Sequence, residues 1–217
     1  PMRHSDYVFS DAEKAQGYVL LCSHTAVTDL EIEAPQIGGA QDIPGQQIAT
    51  RVKKIESLGE DMALLHLQTP RTKRLQFLAG QAVTLETANG AEADYPVASC
   101  PCDDRNLQFH VRRLPGNRFA DYVFKKLKNG DIVALAGPKG EFTLNEESPR
   151  SLIFLAHGTG FAPVKSLIEH AMARDVAETL HLYWASGDGE HYLNNLCRSW
   201  TDALDNFHYT PLVAGAA

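Results

Sequence analysis

Two hydrophobic patterns of different kinds divide this chain, and the change between them near Pro149 limits what it can fold into. Upstream, between Ile48 and about Leu144, short runs of β-branched and aromatic residues recur between turn sequences. Downstream, residues 151–156 form one continuous apolar run, which is typical of a parallel strand buried on both faces. The sequence therefore predicts a β domain followed by an α/β domain.

The upstream runs predict the strands of a small antiparallel barrel. Turn sequences such as Asn89-Gly90 and Asn129-Gly130 separate several of them. Residues 118–127 repeat their apolar side chains at helical spacing, which predicts a short helix across one end of the barrel. The strands are predicted at 48–55, 62–68, 82–87, 107–112 and 132–136.

The downstream run leads through a glycine-containing turn into a predicted helix. Pro163 suits its first turn, and residues 164–172 place apolar side chains on one face. Strands are predicted at 180–184 and 208–213, with a helix at 192–204 between them. This alternation is the start of a parallel sheet with right-handed crossovers, and three strands make it a small, partial one.

Charge and composition disfavour several classes of protein. The chain has 20 Lys and Arg against 27 Asp and Glu, a net charge of -7, so neither nucleic acid nor anionic lipid is an expected partner. No apolar run approaches the ~20 residues of a membrane-spanning helix, so no membrane contact and a cytoplasmic location are expected. The four cysteines (Cys22, Cys100, Cys102 and Cys197) are too unevenly placed for a disulfide framework and are expected to be thiols.

The turn Gly158-Thr159-Gly160 is the clearest candidate for ligand binding. Glycines let a ligand approach the backbone, and the N–H groups of the following helix favour an anion such as a pyrophosphate. The alternative interpretation is a tight turn between strand and helix that needs only small residues.

A barrel followed by this glycine turn resembles the ferredoxin–NADP reductase superfamily. Residues 77–81 are similar to its FxxGQ turn, residues 137–142 to its GPxGxF turn, and 107–112 ends in His-Val-Arg, as the family's flavin-side strand often does. The resemblance covers about 48–213. It implies a small antiparallel flavin-binding barrel, with FAD as cofactor, and a parallel α/β domain that binds NAD.

The resemblance also implies which residues meet the cofactors. In the segment that matches the family's flavin fingerprint, Tyr95 would stack on the flavin ring. However, Ala93 replaces an arginine and Pro96 replaces a hydroxyl residue, so packing of Tyr95 on a barrel without tight flavin binding is the alternative. The implied flavin-side residues are Tyr95, Pro96, Val97, Ala98, Ser99, His110, Val111, Arg112, Gly116, Asn117, Arg118, Phe119 and Ala120. On the nucleotide side they are Gly158, Thr159, Gly160, Ala162, Pro163 and Asp188.

In the second diphosphate turn of the family, Ala120 stands where a hydroxyl is common. Either Arg112 or Arg118 would compensate for the missing contacts. The loop after the second parallel strand carries Asp188 and Glu190 and no basic residue, which favours NADH over NADPH because a 2'-phosphate would be repelled. Two solvated acids in a surface loop are the alternative.

Residues 17–22 are similar to the end of a plant-type ferredoxin domain, whose last cluster ligand would be Cys22. The Cx4CxxC loop that supplies the other ligands is not in this chain. One thiolate cannot hold a [2Fe–2S] cluster, so Cys22 is here a small apolar residue by default. The resemblance thus implies a cluster in an intact parent only, and a chain truncated at both ends.

The expected organisation is a ferredoxin-like remnant and linker at 1–47, a flavin-binding barrel at 48–147 and an incomplete NAD-binding domain at 148–217. The expected activity is electron transfer from NADH through FAD to a [2Fe–2S] centre, which would feed a partner such as an oxygenase component. No catalytic side chain is needed, because the flavin supplies the chemistry. The alternatives are a regulatory module that keeps neither cofactor and a reductase that uses flavin as a diffusible substrate.

Overall fold

The computed structural model describes residues 10–17, 25, 27–29, 31, 39–146, 150–187 and 191–213. Short 3-10 turns lie at Ala40–Asp42 and Gly158–Gly160. The helices are α1 (Asp11–Ala15), α2 (Arg118–Lys125), α3 (Phe161–Arg174) and α4 (Asn194–Ala203). The strands are β1 (Gln46–Ser57), β2 (Met62–Gln68), β3 (Ala82–Thr87), β4 (Glu92–Pro96), β5 (Asn106–Arg112), β6 (Ile132–Lys139), β7 (Leu152–His157), β8 (Leu180–Ser186) and β9 (Phe207–Val213).

The first six strands form the predicted antiparallel barrel. They are paired in the order β4-β3-β6-β1-β2-β5, and every pairing is antiparallel. The two outer strands meet just after β4, where the Ala98 N–H donates to the Gln108 carbonyl at 2.8 Å. The Gln108 N–H in turn donates to Ser99 Oγ at 3.2 Å. These two bonds close the barrel, so its apolar core is shielded on this side.

Five of the six barrel strands were predicted, and β4 was not. The alternation of apolar and polar residues in β4 is weak, because Tyr95, between Asp94 and Pro96, is the one buried residue of this strand. The predicted helix at 118–127 is confirmed as α2, which ends at Lys125. Its apolar face, with Phe119 and Val123, packs into the barrel core.

The two turns that carry the family resemblance lie against each other. Gln81 is 1% exposed; its Oε1 accepts from the Leu78 N–H at 2.8 Å and its Nε2 donates to the Gly140 carbonyl at 3.1 Å. Gly80 has φ +89°, and a Cβ at this position would lie 2.0 Å from the Phe142 carbonyl oxygen. The glycine is therefore required both by its conformation and by the close approach of the other turn.

The predicted parallel sheet is present, in the order β7-β8-β9. Because both crossovers step in the same direction and are right-handed, α3 and α4 lie on the same face of the sheet. There they bury Phe154, Trp184 and Phe207 in one apolar core. The helix α3 begins at Phe161 and includes Pro163 in its first turn, as predicted.

The prediction that the first parallel strand is buried on both faces is wrong. Along β7 the side chains alternate, so that Phe154 is 7% exposed while Ile153 is 67% and Leu155 73% exposed. The cause is the common direction of the two crossovers, which leaves the opposite face of the sheet without a covering helix in the described part of the chain.

Most of the predicted N-terminal remnant falls outside the described residues. This holds for residues 18–22, including Cys22. Residues 28–32 alternate in sequence as a strand would, but of them only Thr28, Asp29 and Glu31 are described, and they are not in a strand. Within the described ranges, no helix is long and apolar enough to cross a membrane.

Candidate functional site

The barrel and the α/β domain meet where α3 packs against residues 98–100, a contact that we call the interdomain junction. Lys165 Nζ donates to the Ala98 carbonyl at 3.1 Å and Ser166 Oγ donates to the Ser99 carbonyl at 2.7 Å. The Cys100 N–H donates to Glu169 Oε2 at 3.2 Å, and Lys165 pairs with Glu169 Oε1 at 2.6 Å. These polar groups hold the two domains together, and Lys165 is 5% exposed.

The junction residues of α3 were not predicted from the sequence. The available signal was that Lys165 and Glu169 are four residues apart, on a face separate from the apolar one. Such a pair is normally solvent-exposed, so nothing in the sequence marked it as buried.

A second contact between the domains is made by the outer face of β5, where Gln108, His110 and Arg112 alternate with core residues. His110 Nδ1 lies 2.8 Å from the Tyr192 hydroxyl, with the two rings edge to face. Burial, followed by the charges of Lys165 and His66, lowers the pKa of His110 to about 3. Burial raises the pKa of Tyr192, so both groups are neutral at pH 7.

Trp184 contacts the glycine turn between β7 and α3 from inside the core of the α/β domain. Phe161 stacks on Trp184 with centroids 4.0 Å apart, and Trp184 Nε1 donates to the Gly158 carbonyl at 3.0 Å. Gly158 has φ +52°, and no side chain caps the N-terminus of α3. The Phe161 N–H already donates to the Gly158 carbonyl, so the backbone N–H groups that could face an anion are those of the glycine turn itself.

Arg112 brings a positive charge from the barrel to this turn. Its Nη1 lies 3.9 Å from the point where a Cβ on Gly158 would stand. Its Nε also forms an ion pair with Asp61 Oδ2, at 3.1 Å but without hydrogen-bond geometry. The glycine turn and the flavin-side strand therefore face each other, and the arrangement suits a diphosphate.

Arg112 also lines a cleft of about 820 Å³ between the two domains. The cleft reaches the carboxyl end of β9, the end of a parallel sheet at which ligands usually bind. It is lined by Leu58, Gly59, Glu60, Asp61, Met62, Arg112, His191, Tyr192, Asn194, Arg198, Pro211 and Val213.

The second candidate anion site is the turn before α2. Gly116 has φ +83° with nothing within 4 Å of a Cβ placed on it, so its backbone is open to a ligand. Arg118 is exposed at the start of the helix. Asn117 caps the helix, because its Oδ1 accepts from the Ala120 N–H at 2.9 Å.

Tyr95 lies beside this turn but mostly inside the barrel. It is 7% exposed, its ring centroid is 5.2 Å from that of Phe119, and its hydroxyl accepts from Asn117 Nδ2 at 3.0 Å. Burial raises the pKa of the Tyr95 hydroxyl. Only a small part of Tyr95 is therefore accessible to a flavin ring, and the residue serves packing as well.

The remaining predicted residues differ in how exposed they are. Pro96, Ser99, Thr159 and Pro163 are half-buried around the junction and the glycine turn, and Gly160 is exposed. Asp188 lies outside the described residues, as does its neighbour Glu190. A set of six residues is buried, each at most 2% exposed, and offers a cofactor almost no accessible surface: Val97, Ala98, Val111, Phe119, Ala120 and Ala162.

The residues present fit both dinucleotides. In the described part of the chain, His110 Nε2 and Gln108 Oε1 are buried on the outer face of β5 without a hydrogen-bond partner. Buried polar atoms of this kind are costly, and the heteroatoms of a flavin ring would satisfy them. Gly116 with Arg118 and Gly158 with Arg112 each provide an open backbone beside a cation, as a diphosphate needs.

The cysteines differ from the expectation of four thiols. Cys100 and Cys102 are joined by a disulfide, and Cys102 is exposed. The spacing of two residues brings their Cα atoms within 5.2 Å, which suits this bond. Cys197 is a free, buried thiol as expected, and burial raises its pKa to about 12. No group of three metal-ligating side chains occurs among the described residues.

Replacing Asn117 with alanine is expected to destabilise the barrel by about 2 kcal/mol, since the helix loses its cap and the buried Tyr95 hydroxyl loses its donor. Urea unfolding followed by circular dichroism measures the loss. Asn117→Asp is the matched control, because it keeps the capping oxygen and offers Tyr95 an acceptor. An equal loss in both variants would contradict this account of Asn117.

A closed antiparallel barrel followed by a parallel three-stranded sheet is the two-domain arrangement that the sequence resemblance implied. Comparison with known families agrees. The family model described as the oxidoreductase FAD-binding domain matches residues 49–144, and that of the oxidoreductase NAD-binding domain matches residues 154–217. The chain belongs to the ferredoxin–NADP reductase superfamily, and the resemblance seen in its sequence is confirmed.

Two curated relatives are similar to this chain over most of its length. The chain is 32% identical over 206 residues to the CDP-6-deoxy-L-threo-D-glycero-4-hexulose-3-dehydrase reductase of Yersinia pestis, covering 95% of this chain and 62% of the relative. It is 32% identical to reductase component 1 of terephthalate 1,2-dioxygenase from Comamonas sp, covering 88% of this chain and 57% of the relative. The chain thus spans about three fifths of the length of these relatives.

Solved structures show the same fold. The Amycolatopsis reductase GcoB matches 94% of this chain and 62% of its own length, with a TM-score of 0.70 and 26% identity. Phthalate dioxygenase reductase matches 82% of this chain and 55% of its own length, with a TM-score of 0.65 and 19% identity.

Proposed function

We propose that this chain is the FAD- and NADH-binding part of an electron-transfer oxidoreductase that delivers electrons to a [2Fe–2S] centre or a partner protein. The observation that carries the proposal is the approach of Arg112, on the flavin-side strand, to Gly158 in the glycine turn of the other domain. Two dinucleotides bound at these elements would meet in the crevice between the domains. The reductase names of the relatives support the proposal, and a cytoplasmic location stays a prediction.

The side chains of the chain orient and hold rather than react. The backbone N–H groups of the glycine turn before α3 and the guanidinium of Arg112 would hold the NADH diphosphate. The open backbone at Gly116 and the charge of Arg118 would hold the FAD diphosphate in place of the arginine absent at Ala93. When bound, the flavin accepts two electrons and releases them one at a time. The junction of α3 with residues 98–100 fixes the distance between the two sites.

The test is spectroscopic. The protein is purified with FAD supplied and is expected to be yellow, and NADH added without oxygen should bleach it in one rapid phase. Protein that stays colourless after reconstitution with FAD and FMN would defeat the proposal. Colour that is lost on dialysis, with activity retained when flavin is added, would indicate flavin as a diffusible substrate.

A second candidate, a binding or regulatory module without cofactors, is favoured by one observation. Tyr95 is 93% buried in this structure, and Ala93 and Ala120 supply no polar contact where the family usually has one. In that case neither FAD nor NADH would bind at physiological concentration, and calorimetric titration with each separates the two candidates.

Arg112→Ala is expected to weaken NADH binding about tenfold or more, because a charge-assisted contact to the diphosphate is lost. The dissociation constant is measured by fluorescence titration of the flavin-loaded protein. Arg113→Ala is the matched control: it follows Arg112 directly but pairs with Asp121 on the surface, at 3.0 Å. If both variants bind NADH like the parent, Arg112 does not contact the nucleotide.

The loop with Asp188 and Glu190 predicts a preference for NADH over NADPH of at least about tenfold in kcat/KM, from repulsion of the 2'-phosphate. Steady-state reduction of ferricyanide with each nucleotide measures it, and Asp188→Asn should narrow the ratio. Equal use of both nucleotides would contradict the prediction and would point to Arg198, the exposed cation that lines the cleft together with Arg112.

A further inference from the structure

Cys100 and Cys102 form a pair with unequal exposure. They lie in the turn between β4 and β5, with a proline between them, and are joined by a disulfide. Cys102 is exposed, whereas Cys100 is 6% exposed and packs against α3. A disulfide with one accessible sulfur is open to attack by a thiol from solution, and after reduction the same sulfur is the first available nucleophile.

The surroundings of Cys100 suit thiol chemistry. His170 Nδ1 lies 3.9 Å from Cys100 Sγ, and His170 Nε2 lies 2.7 Å from Glu146 Oε1. A carboxylate at Nε2 holds the proton there, so Nδ1 presents its lone pair to the sulfur. The Cys102 N–H also donates to Cys100 Sγ, at 3.2 Å, and would stabilise a thiolate at this sulfur.

The other charged groups near the pair lie on α3, at Glu146 and in the turn itself, where Asp103 follows Cys102 and accepts from the Asn106 N–H at 3.0 Å. Glu169 Oε2 accepts from the Cys100 N–H, and Lys165 neutralises Glu169 at 2.6 Å. Arg174 Nε lies 3.6 Å from Glu146 Oε2. The carboxylates of both Glu146 and Glu169 thus have a cationic partner, and neither stands as an uncompensated negative charge beside the sulfur.

The geometry points to a thiol–disulfide exchange site at Cys100 and Cys102, with a low-molecular-weight disulfide such as oxidised glutathione as its oxidant. This site is separate from the proposed hydride transfer and uses none of the residues assigned to the nucleotides. It would couple the turn after β4 to the thiol state of its surroundings.

The proposed thiol–disulfide exchange takes place in two steps. The Cys102 thiolate attacks one sulfur of the oxidant, which breaks its S–S bond, releases one thiol and leaves a mixed disulfide on Cys102. Cys100 then loses its proton to His170 Nδ1 and attacks the Cys102 sulfur, which forms the Cys100–Cys102 bond and releases the second thiol. The two cysteines lose two electrons and two protons, and the oxidant becomes two thiols.

The experiment uses the full chain in a Cys22→Ser background. Protein is equilibrated anaerobically in buffers of graded reduced-to-oxidised glutathione ratio, quenched in acid, alkylated with N-ethylmaleimide and weighed intact. The expected result is one two-electron transition in which two alkylation sites disappear together while Cys197, labelled only after unfolding, stays free. Two alkylated sites at every ratio would overturn the proposal.

Single variants test the order of events. Cys100→Ser should accumulate a stable glutathione adduct on Cys102, whereas Cys102→Ser should react at least about tenfold more slowly, because its remaining sulfur is buried. Equal rates of adduct formation would refute the assigned roles. His170→Ala should slow closure of the mixed disulfide and move its pH dependence upward while leaving adduct formation unchanged; an unaltered pH profile would exclude His170 as the proton acceptor.

Discussion

Gly80→Ala is expected to destabilise the protein by about 3 kcal/mol or more, or to prevent folding altogether. A Cβ at this position would lie 2.0 Å from the Phe142 carbonyl oxygen and 3.2 Å from Leu167 Cδ2. The first atom belongs to the backbone and the second to α3, so neither turn can move without disturbing the other. The conformation itself, at φ +89°, adds strain for any residue with a side chain.

The control is Gly130→Ala, since Gly130 has φ +94° but nothing within 4 Å of the added carbon. Gly130→Ala is expected to lower the stability only by the cost of the left-handed conformation, about 1–2 kcal/mol. The difference between the urea midpoints of the two variants therefore measures the clash. If both variants lose the same stability, the two turns have room for a Cβ at position 80 and the proposed clash is absent.

Lys165→Ala is expected to cost about 3–5 kcal/mol of stability, because it leaves a charge at Glu169 and a carbonyl at Ala98 without their partner. Its side chain is 6% exposed, so water cannot replace it readily. The loss is expected to appear as a transition in which the α/β domain separates from the barrel first. Trp184 and Trp200, both in the α/β domain, report on that domain by fluorescence, while circular dichroism reports on the whole chain.

Two comparisons sharpen this test. Lys125→Ala removes a lysine that also pairs with a carboxylate four residues away, Asp121, but on the surface, and should cost less than about 0.5 kcal/mol. The double variant Lys165→Met/Glu169→Gln removes both charges and should recover part of the stability. A double variant no more stable than Lys165→Ala would mean that the hydrogen bond to Ala98, and not the ion pair, dominates.

The barrel was predictable because its strands carry local signals. Alternation and turn residues such as Asn89-Gly90 depend on near neighbours in sequence, and so does the helical spacing of Phe119 and Val123. The strand β4 was not predicted because most of its side chains face outward. Its place in the barrel depends on pairing with β3 and not on its own composition.

The features that could not be predicted from the sequence depend on contacts between elements that are distant along the chain. Whether the apolar run at 151–156 is covered on one face or both is set by the directions of two crossovers, which no local pattern encodes. The burial of Lys165 follows from docking α3 on the barrel. In the same way, the sequence placed Tyr95 beside a flavin, but the depth to which it enters the barrel depends on Phe119 and Asn117, more than twenty residues away.

The exposed face of the parallel sheet has a consequence for handling the protein. Ile153 and Leu155 project from β7 on the side away from α3, and Leu212 on β9 is 44% exposed. Apolar surface of this kind binds environment-sensitive dyes and draws molecules together as salting-out agents are added. Concentrated samples are thus expected to scatter light in ammonium sulfate well before the barrel itself is perturbed.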